Sequence, residues 1–182
     1  APVEGAPAPA PTGFENLARG RPYTLEPQPS YPLCLDEDDR TQLTDGVYTT
    51  GYFWTQKTTV GWTRARPVVI TLDLGGDLPI RGVSFNTAAG VAGVEFPTNI
   101  TLLVSVDGRG YHALGDLVNL GRVHGLPPVG AYGVHRFLTT ALQTHGRYLK
   151  LFVDPAGPYC FVDEIEVLRG EPEWLQVALP GE

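Results

Sequence analysis

Short apolar runs, broken every few residues by glycine or proline, set the pattern of this chain. Residues 68–74 read Val-Val-Ile-Thr-Leu-Asp-Leu and meet Gly75-Gly76, which predicts a strand ended at the glycine pair. Residues 80–85 predict a second strand. Ile100, Leu102 and Val104 alternate with Thr101, Leu103 and Ser105, the period of two of a half-buried strand. Asp107-Gly108 follows as a turn. Residues 132–139 predict another strand. Leu149, Leu151 and Val153 alternate with Tyr148, Lys150 and Phe152. A last strand over 160–168 places Ile165 and Val167 inward and Glu164 and Glu166 on the opposite face. Residues 35–43 fit one short helical turn. There is no internal repeat and no long helical period. The pattern predicts an all-β fold, an antiparallel sandwich or barrel of about eight main strands in two sheets.

The aromatic residues sharpen this picture. Tyr48, Tyr52, Phe53, Trp54 and Trp62 fall within one short window. Trp62, just ahead of the strand at Val68, is expected in the core because an indole supplies a large buried area. Three consecutive aromatics, Tyr52-Phe53-Trp54, cannot all face inward on a strand. At least one is expected at the surface, with Tyr52 or Trp54 the candidate, unless it packs under the long loop 120–134.

The chain has 182 residues, enough for one domain with tails and a core that needs no staple. Apolar residues make up 42%, charged residues 18%, and the formal net charge is −7, which excludes a disordered chain and leaves no basic stripe for nucleic acid. No apolar run approaches the roughly 18–20 residues of a membrane span. Residues 1–12, Ala/Pro-rich, have a linker composition, and the chain lacks Met altogether, which suits a mature or excised fragment. Residues 13–170 would be the folded module. Residues 171–182 read as an exit segment in which Trp174 packs back on the domain. Cys34 and Cys160 are either a buried free pair, as in a cytosolic protein, or a disulfide, as in a secreted one. There is no G-x-S-x-G, H-E-x-x-H, P-loop or C-x-x-C motif. The acidic run 36–39 lacks the loop spacing of an EF-hand and reads as a solvated turn. Asn99-Ile100-Thr101 is a glycosylation sequon set within a predicted strand.

Six short motifs then follow in order. They are Asn16-Leu17-Ala18-Arg19-Gly20, Leu43-Thr44-Asp45-Gly46, Ile70-Thr71-Leu72-Asp73-Leu74-Gly75, Ser105-Val106-Asp107-Gly108, Gly146-Arg147-Tyr148-Leu149-Lys150-Leu151 and Asp163-Glu164-Ile165-Glu166-Val167. Over about residues 16–170 this series resembles the discoidin (coagulation factor V/VIII type C) domains and the family 32 carbohydrate-binding modules. The resemblance implies a galactose-binding domain-like jelly roll, an extracellular or secreted setting, and hence a Cys34–Cys160 disulfide. Residues 47–62 and 120–134 are longer than the family's pattern and are where this chain's own specificity is expected.

The resemblance also implies one structural calcium ion. Carried over residue by residue, its ligands would be Asp45, the carbonyls of Gln42 and Val47, Thr50, and Glu164, with Gly46 making the turn between them. Calcium takes several hard oxygen ligands, carbonyls included. For the ligand, the resemblance implies an oligo- or polysaccharide, held by an aromatic face and a few planar polar groups on loops at one end of the sandwich. The expected set is Tyr52 or Trp54 with Asn86, Arg122, His124 and His135. The module would be non-catalytic and monomeric and would tether neighbouring domains of the same chain to a glycan. Two alternatives stay open. One is a jelly-roll polysaccharide-degrading enzyme using Tyr132 and His135 with Arg136. The other is a protein or membrane adhesion module with Tyr52-Phe53-Trp54 as an apolar spike near Lys57, Arg64 and Arg66.

Overall fold

The computed structural model describes residues 8–182; the first seven residues of the Ala/Pro-rich segment lie outside the described residues. Among the described residues nine strands follow in order: β1 (Tyr23–Glu26), β2 (Val60–Thr63), β3 (Val68–Ala89), β4 (Asn99–Ser105), β5 (His112–Asp116), β6 (Gly133–Thr139), β7 (Thr144–Asp154), β8 (Tyr159–Val162) and β9 (Glu164–Arg169). One short helix, α1 (Leu117–Leu120), and several 3-10 turns connect them. All strand pairs are antiparallel. The fold is an antiparallel jelly-roll β-sandwich.

The strands expected at 68–74 and 80–85 are one strand. Gly75-Gly76 does not end it. The pairing of β3 with β7 shifts register between Asp73 and Leu78, and Gly75 takes φ +85°, so the glycine pair forms an irregularity that bends the strand. Apolar residues on both sides of the bend, Leu74 and Ile80, are fully buried, so burial carries the chain through. This bend organises the molecule. The first half of β3 pairs with β1 and β7, and β7 leads on to β4 and β5. The second half pairs with β6 on one side and β9 on the other. A two-stranded ribbon, β2 with β8, completes the second layer.

The core lies between the layers and follows the alternation read from the sequence. Ile70, Leu72, Leu74, Ile100, Leu102, Val104, Leu149, Leu151 and Val153 are all fully buried, as is Trp62. The Trp62 indole N–H donates to the Pro27 carbonyl at 2.7 Å, which settles its one polar atom. Residues 35–43 contain two 3-10 turns, Glu37–Arg40 and Gln42–Thr44. The segments on either side of the sandwich strands are tied in. Asn16 Oδ1 accepts from the Ala18 and Val167 amides, and Phe14 and Trp174 both stack on the Arg81 guanidinium. Residues 171–182 pack back on the sandwich, with Leu179 buried in the core.

The disulfide is a correction. Cys34 and Cys160 are both free and buried. They sit in different apolar clusters: Cys160 with Trp62 and Val162 in the main core, Cys34 with Phe53, Trp54 and Ala88 in a second one. The Cys34 thiol donates to the Phe53 carbonyl at 3.5 Å. Burial pushes both thiols up to about 12, which suppresses the thiolate that reacts. In Ellman's assay the native protein should therefore show no fast-reacting thiol. Denaturant should release two, and reductant should leave the melting temperature unchanged.

Candidate functional site

The second core cluster lies at one end of the sandwich, beneath the long aromatic-rich segment that runs from Asp45 to Thr59. What pins this segment is a pair of buried carboxylates where β8 passes into β9. Asp163 accepts from the Thr49 amide at 2.7 Å and from Asn86 Nδ2 at 2.9 Å. Glu164 Oε2 accepts from the Gly46 amide at 2.6 Å. The Tyr48 hydroxyl donates to Glu166 at 2.9 Å, and the Thr49 hydroxyl bonds those of Thr58 and Thr59. Asp163 is 0% and Glu164 1% exposed. Burial raises Asp163 to about 7; burial first, and then the Asp45 charge, raises Glu164 to about 9. Glu164 Oε1 is buried and has no hydrogen-bond partner.

The residues expected to ligate calcium are gathered around this carboxylate in part. Asp45 and Gly46 are brought against Glu164, with Gly46 at φ +80° and the Arg19 guanidinium packed over it. The Asp45 carboxylate accepts from the Val47 amide, the Gln42 carbonyl accepts from the Asp45 amide, and Val47 and Thr50 lie exposed on the same loop.

Farther along the segment, residues 52–54 do not lie on a strand. Phe53–Thr55 is a 3-10 turn, which turns Phe53 and Trp54 inward together. Phe53 is fully buried, Trp54 9% exposed and Tyr52 37% exposed. Trp54 meets Tyr132, Phe161 and Tyr52 with ring centroids at 5.3, 5.6 and 5.9 Å. The Tyr132 hydroxyl fixes the turn: it donates to the Gly51 carbonyl and accepts from the Phe53 amide. The uncovered edge of Trp54 lines a hollow of about 60 Å³ shared with Tyr31, Tyr159, Phe161, Ala92 and Val94. Tyr31 meets Phe161 edge-on at 4.9 Å, and Tyr159 stacks parallel to Phe161 at 6.1 Å. Val94 also lines a groove of about 400 Å³ between residues 90–96 and Pro128–Gly130. Tyr31 and Tyr159 were not among the expected residues. Tyr31 stands between Ser30 and Pro32 with no periodic neighbour. Tyr159 follows Gly157-Pro158, a turn signal ahead of the last strand pair, and that was its one visible mark.

The expected polar partners are elsewhere. Asn86, His124 and His135 line a separate cleft of about 380 Å³ with Val134, Arg136, Leu138 and Pro9. Arg136 donates there to the Ala10 carbonyl at 2.8 Å. Burial lowers the pKa of His135, whose ring packs on Phe137 and Phe96. Arg122 is exposed on the 3-10 turn Gly121–His124 and lines neither place. Asn86 is itself buried, committed to Asp163. Tyr132 lies outside the cleft of His135 and Arg136, so the trio a polysaccharide-degrading site would need does not converge.

Comparison with solved structures returns the same fold. The Clostridium perfringens module CpGH89CBM32-5, solved with GalNAc-β-1,3-galactose, superposes with TM-score 0.57 at 17% identity, covering 85% of this chain and 99% of that one. A chitosan-binding module from a Paenibacillus sp. IK-5 chitosanase/glucanase gives TM-score 0.53 at 18% identity over 84% and 98%. A Streptococcus pneumoniae fucose-binding module gives 0.54 at 17% over 89% and 100%. No protein-family model and no curated protein matches the chain. The fold shared with family 32 modules and lectin domains is the one the six motifs implied.

The buried node carries a direct test. Asp163→Ala leaves the Thr49 amide and Asn86 Nδ2 without an acceptor. It should cost about 2–4 kcal/mol in urea denaturation and speed hydrogen exchange at Thr49.

Proposed function

We propose that this domain is a non-catalytic carbohydrate-binding module that holds its glycan at the aromatic hollow and carries a structural calcium ion at Asp45 and Glu164. The observation that carries the reading is the hollow itself. Three partly open rings surround an apolar floor: Tyr31 on a loop, Trp54 on a 3-10 turn and Tyr159 at the start of β8. A pyranose presents an apolar C–H face to such rings, and the adjoining groove has room for further sugar units. The solved structures of the same fold include modules in complex with GalNAc-β-1,3-galactose and with Lewis b, which supports this choice of ligand class. The domain would act as a monomer outside the cell, tethering whatever is joined to it. Weak binding suffices for that, because the tether raises effective concentration.

The alternatives find less support. A degrading enzyme would need Tyr132, whose hydroxyl is spent on the backbone. A membrane spike would need Phe53 and Trp54 projecting from the surface, but Phe53 is fully buried and Trp54 shows only one edge. Lys57 donates to the Leu35 carbonyl and Arg66 pairs with Asp154, so two of the three nearby cations are engaged. Among the described residues no helix is long and apolar enough to cross a membrane.

The calcium reading rests on Glu164 Oε1, a buried carboxylate oxygen with no partner beside Asp45. Among the described residues no three His, Cys, Asp or Glu side chains group as a metal site, so an ion here would lean on carbonyl oxygens. That donor set suits calcium and not zinc. The ion would neutralise Glu164 and bind the loop to β9.

Two experiments test the proposal. On a glycan array, Tyr159→Ala should lose binding about tenfold or more with little loss of stability. Trp54→Ala should lose binding and also about 3–5 kcal/mol of stability, since most of that indole is core. Retained binding in both variants would place the sugar elsewhere. For calcium, both raised carboxylates stabilise the chelated protein below the ordinary carboxylate range. That contribution is lost as pH rises through about 7 for Asp163 and about 9 for Glu164. In EDTA the melting temperature should therefore fall between pH 5 and 9. Millimolar calcium should raise it, and more so at the upper end, because the ion requires ionised Glu164. An identical melt with and without calcium would remove the ion from the account.

A further inference from the structure

Charge around the proposed glycan site is sparse, and what there is has one sign. The hollow is lined by four aromatic rings, Ala92 and Val94. The groove beside it is lined by glycines, Val91, Val94, Phe96, Pro128 and Val129, with a single ionisable group, Glu95. Val94, the neighbour of Glu95, lines both. The Glu95 carboxylate lies against Gly157: a Cβ built on Gly157 would stand 3.0 Å from Oε2. Gly157 is two residues from Tyr159, so the carboxylate stands where hollow and groove meet. Among the described residues Glu95 has no salt bridge and no side-chain hydrogen bond. The other carboxylates of the candidate-site region are engaged: Asp163 by Thr49 and Asn86, Glu164 by Gly46, Asp154 by Arg66. Among the described residues no Lys or Arg lines either space, and the chain as a whole carries a net charge of −7.

We infer that Glu95 sets the charge preference of the site, selecting glycans that carry a free amino group over their N-acetylated forms and rejecting acidic ones. This deepens the proposed function and rests on the sugar binding at the hollow. An ammonium on the sugar unit that crosses from hollow to groove would meet an unpaired carboxylate. A uronate or sialate there would meet the same carboxylate with no cation to offset it, in the field of an acidic protein. The pair forms in an open groove, so its contribution is that of an exposed ion pair and falls with salt.

The test is calorimetric titration of the whole chain with oligomers of glucosamine and of galactosamine, each in free-amine and N-acetylated form, and with oligogalacturonate. In at least one configuration the free-amine form should bind about two- to five-fold tighter than its N-acetylated partner at low salt. The margin should shrink at 0.5 M NaCl. Oligogalacturonate should bind weakest. Glu95→Gln, an isosteric exchange at an exposed position, should erase the margin, so that free-amine and N-acetylated forms bind alike. Equal affinities in the parent protein, or a margin that survives in Glu95→Gln, would overturn the inference while leaving a glycan site in place. Failure of any sugar, these or others on an array, to bind would overturn the underlying reading with it.

Discussion

Two adjacent carboxylates, Asp163 and Glu164, are held in the interior where β8 gives way to β9, and the shape of the site end depends on them. Each gives one oxygen to the segment 45–59, through the amides of Gly46 and Thr49. That segment has no regular strand until β2, and its own backbone bonds are few. Without an acceptor inside the sandwich, its amides would be buried unpaired, at a cost of about 1–3 kcal/mol each. The cost of keeping two acids in the interior appears as their raised pKa values. The return is a fixed path for the chain, which delivers Trp54 onto Phe161 two residues before Asp163. An ion at Glu164 would relieve the one oxygen left unpaired and tighten the same strap. The metal reading and the aromatic wall are thus parts of one construction, joined by a few residues of backbone.

The bend in β3 plays the complementary role for the scaffold. One continuous strand belongs to both layers, so its second half brings Asn86 and Ala88 under the strap while its first half stays in the five-stranded layer. Asn86 pairs with Glu164 in register across the sheet and donates to Asp163. The scaffold and the strap therefore meet at one polar cluster inside an otherwise apolar end.

Much of the fold was legible in the sequence, because burial imposes a period of two. Ile100, Leu102, Val104, Leu149, Leu151 and Val153 were read inward and are inward. The glycine pair at 75–76 misled, since glycine marks both the end of a strand and a bulge within one, and only the far partner strand decides. Glu164 was placed opposite Ile165 on alternation, but alternation does not tell whether the other face is covered. Here the segment 45–59 covers it. The disulfide failed for a related reason. Cysteine count and compartment say nothing about distance, and these two thiols lie in separate apolar clusters.

The site itself was less legible. The aromatic cluster over 48–62 marked the segment that carries Trp54, and Tyr52 is exposed as one of the two rings expected to be, while the 3-10 turn at Phe53–Thr55 takes Trp54 inward and leaves it one uncovered edge. Tyr31, on a loop, and Tyr159, the first residue of β8, supply two of the open faces from places far apart in sequence, and no local pattern links them. His124 and His135 suggested a sugar site by residue type, but they converge in a different cleft. The most direct measurement is an amide and indole NMR titration with a bound glycan. The account predicts shifts at the Trp54 indole and at the amides of Ala92, Val94 and Tyr159. Shifts confined to His124, His135 and Arg136, with the Trp54 indole unmoved, would contradict it.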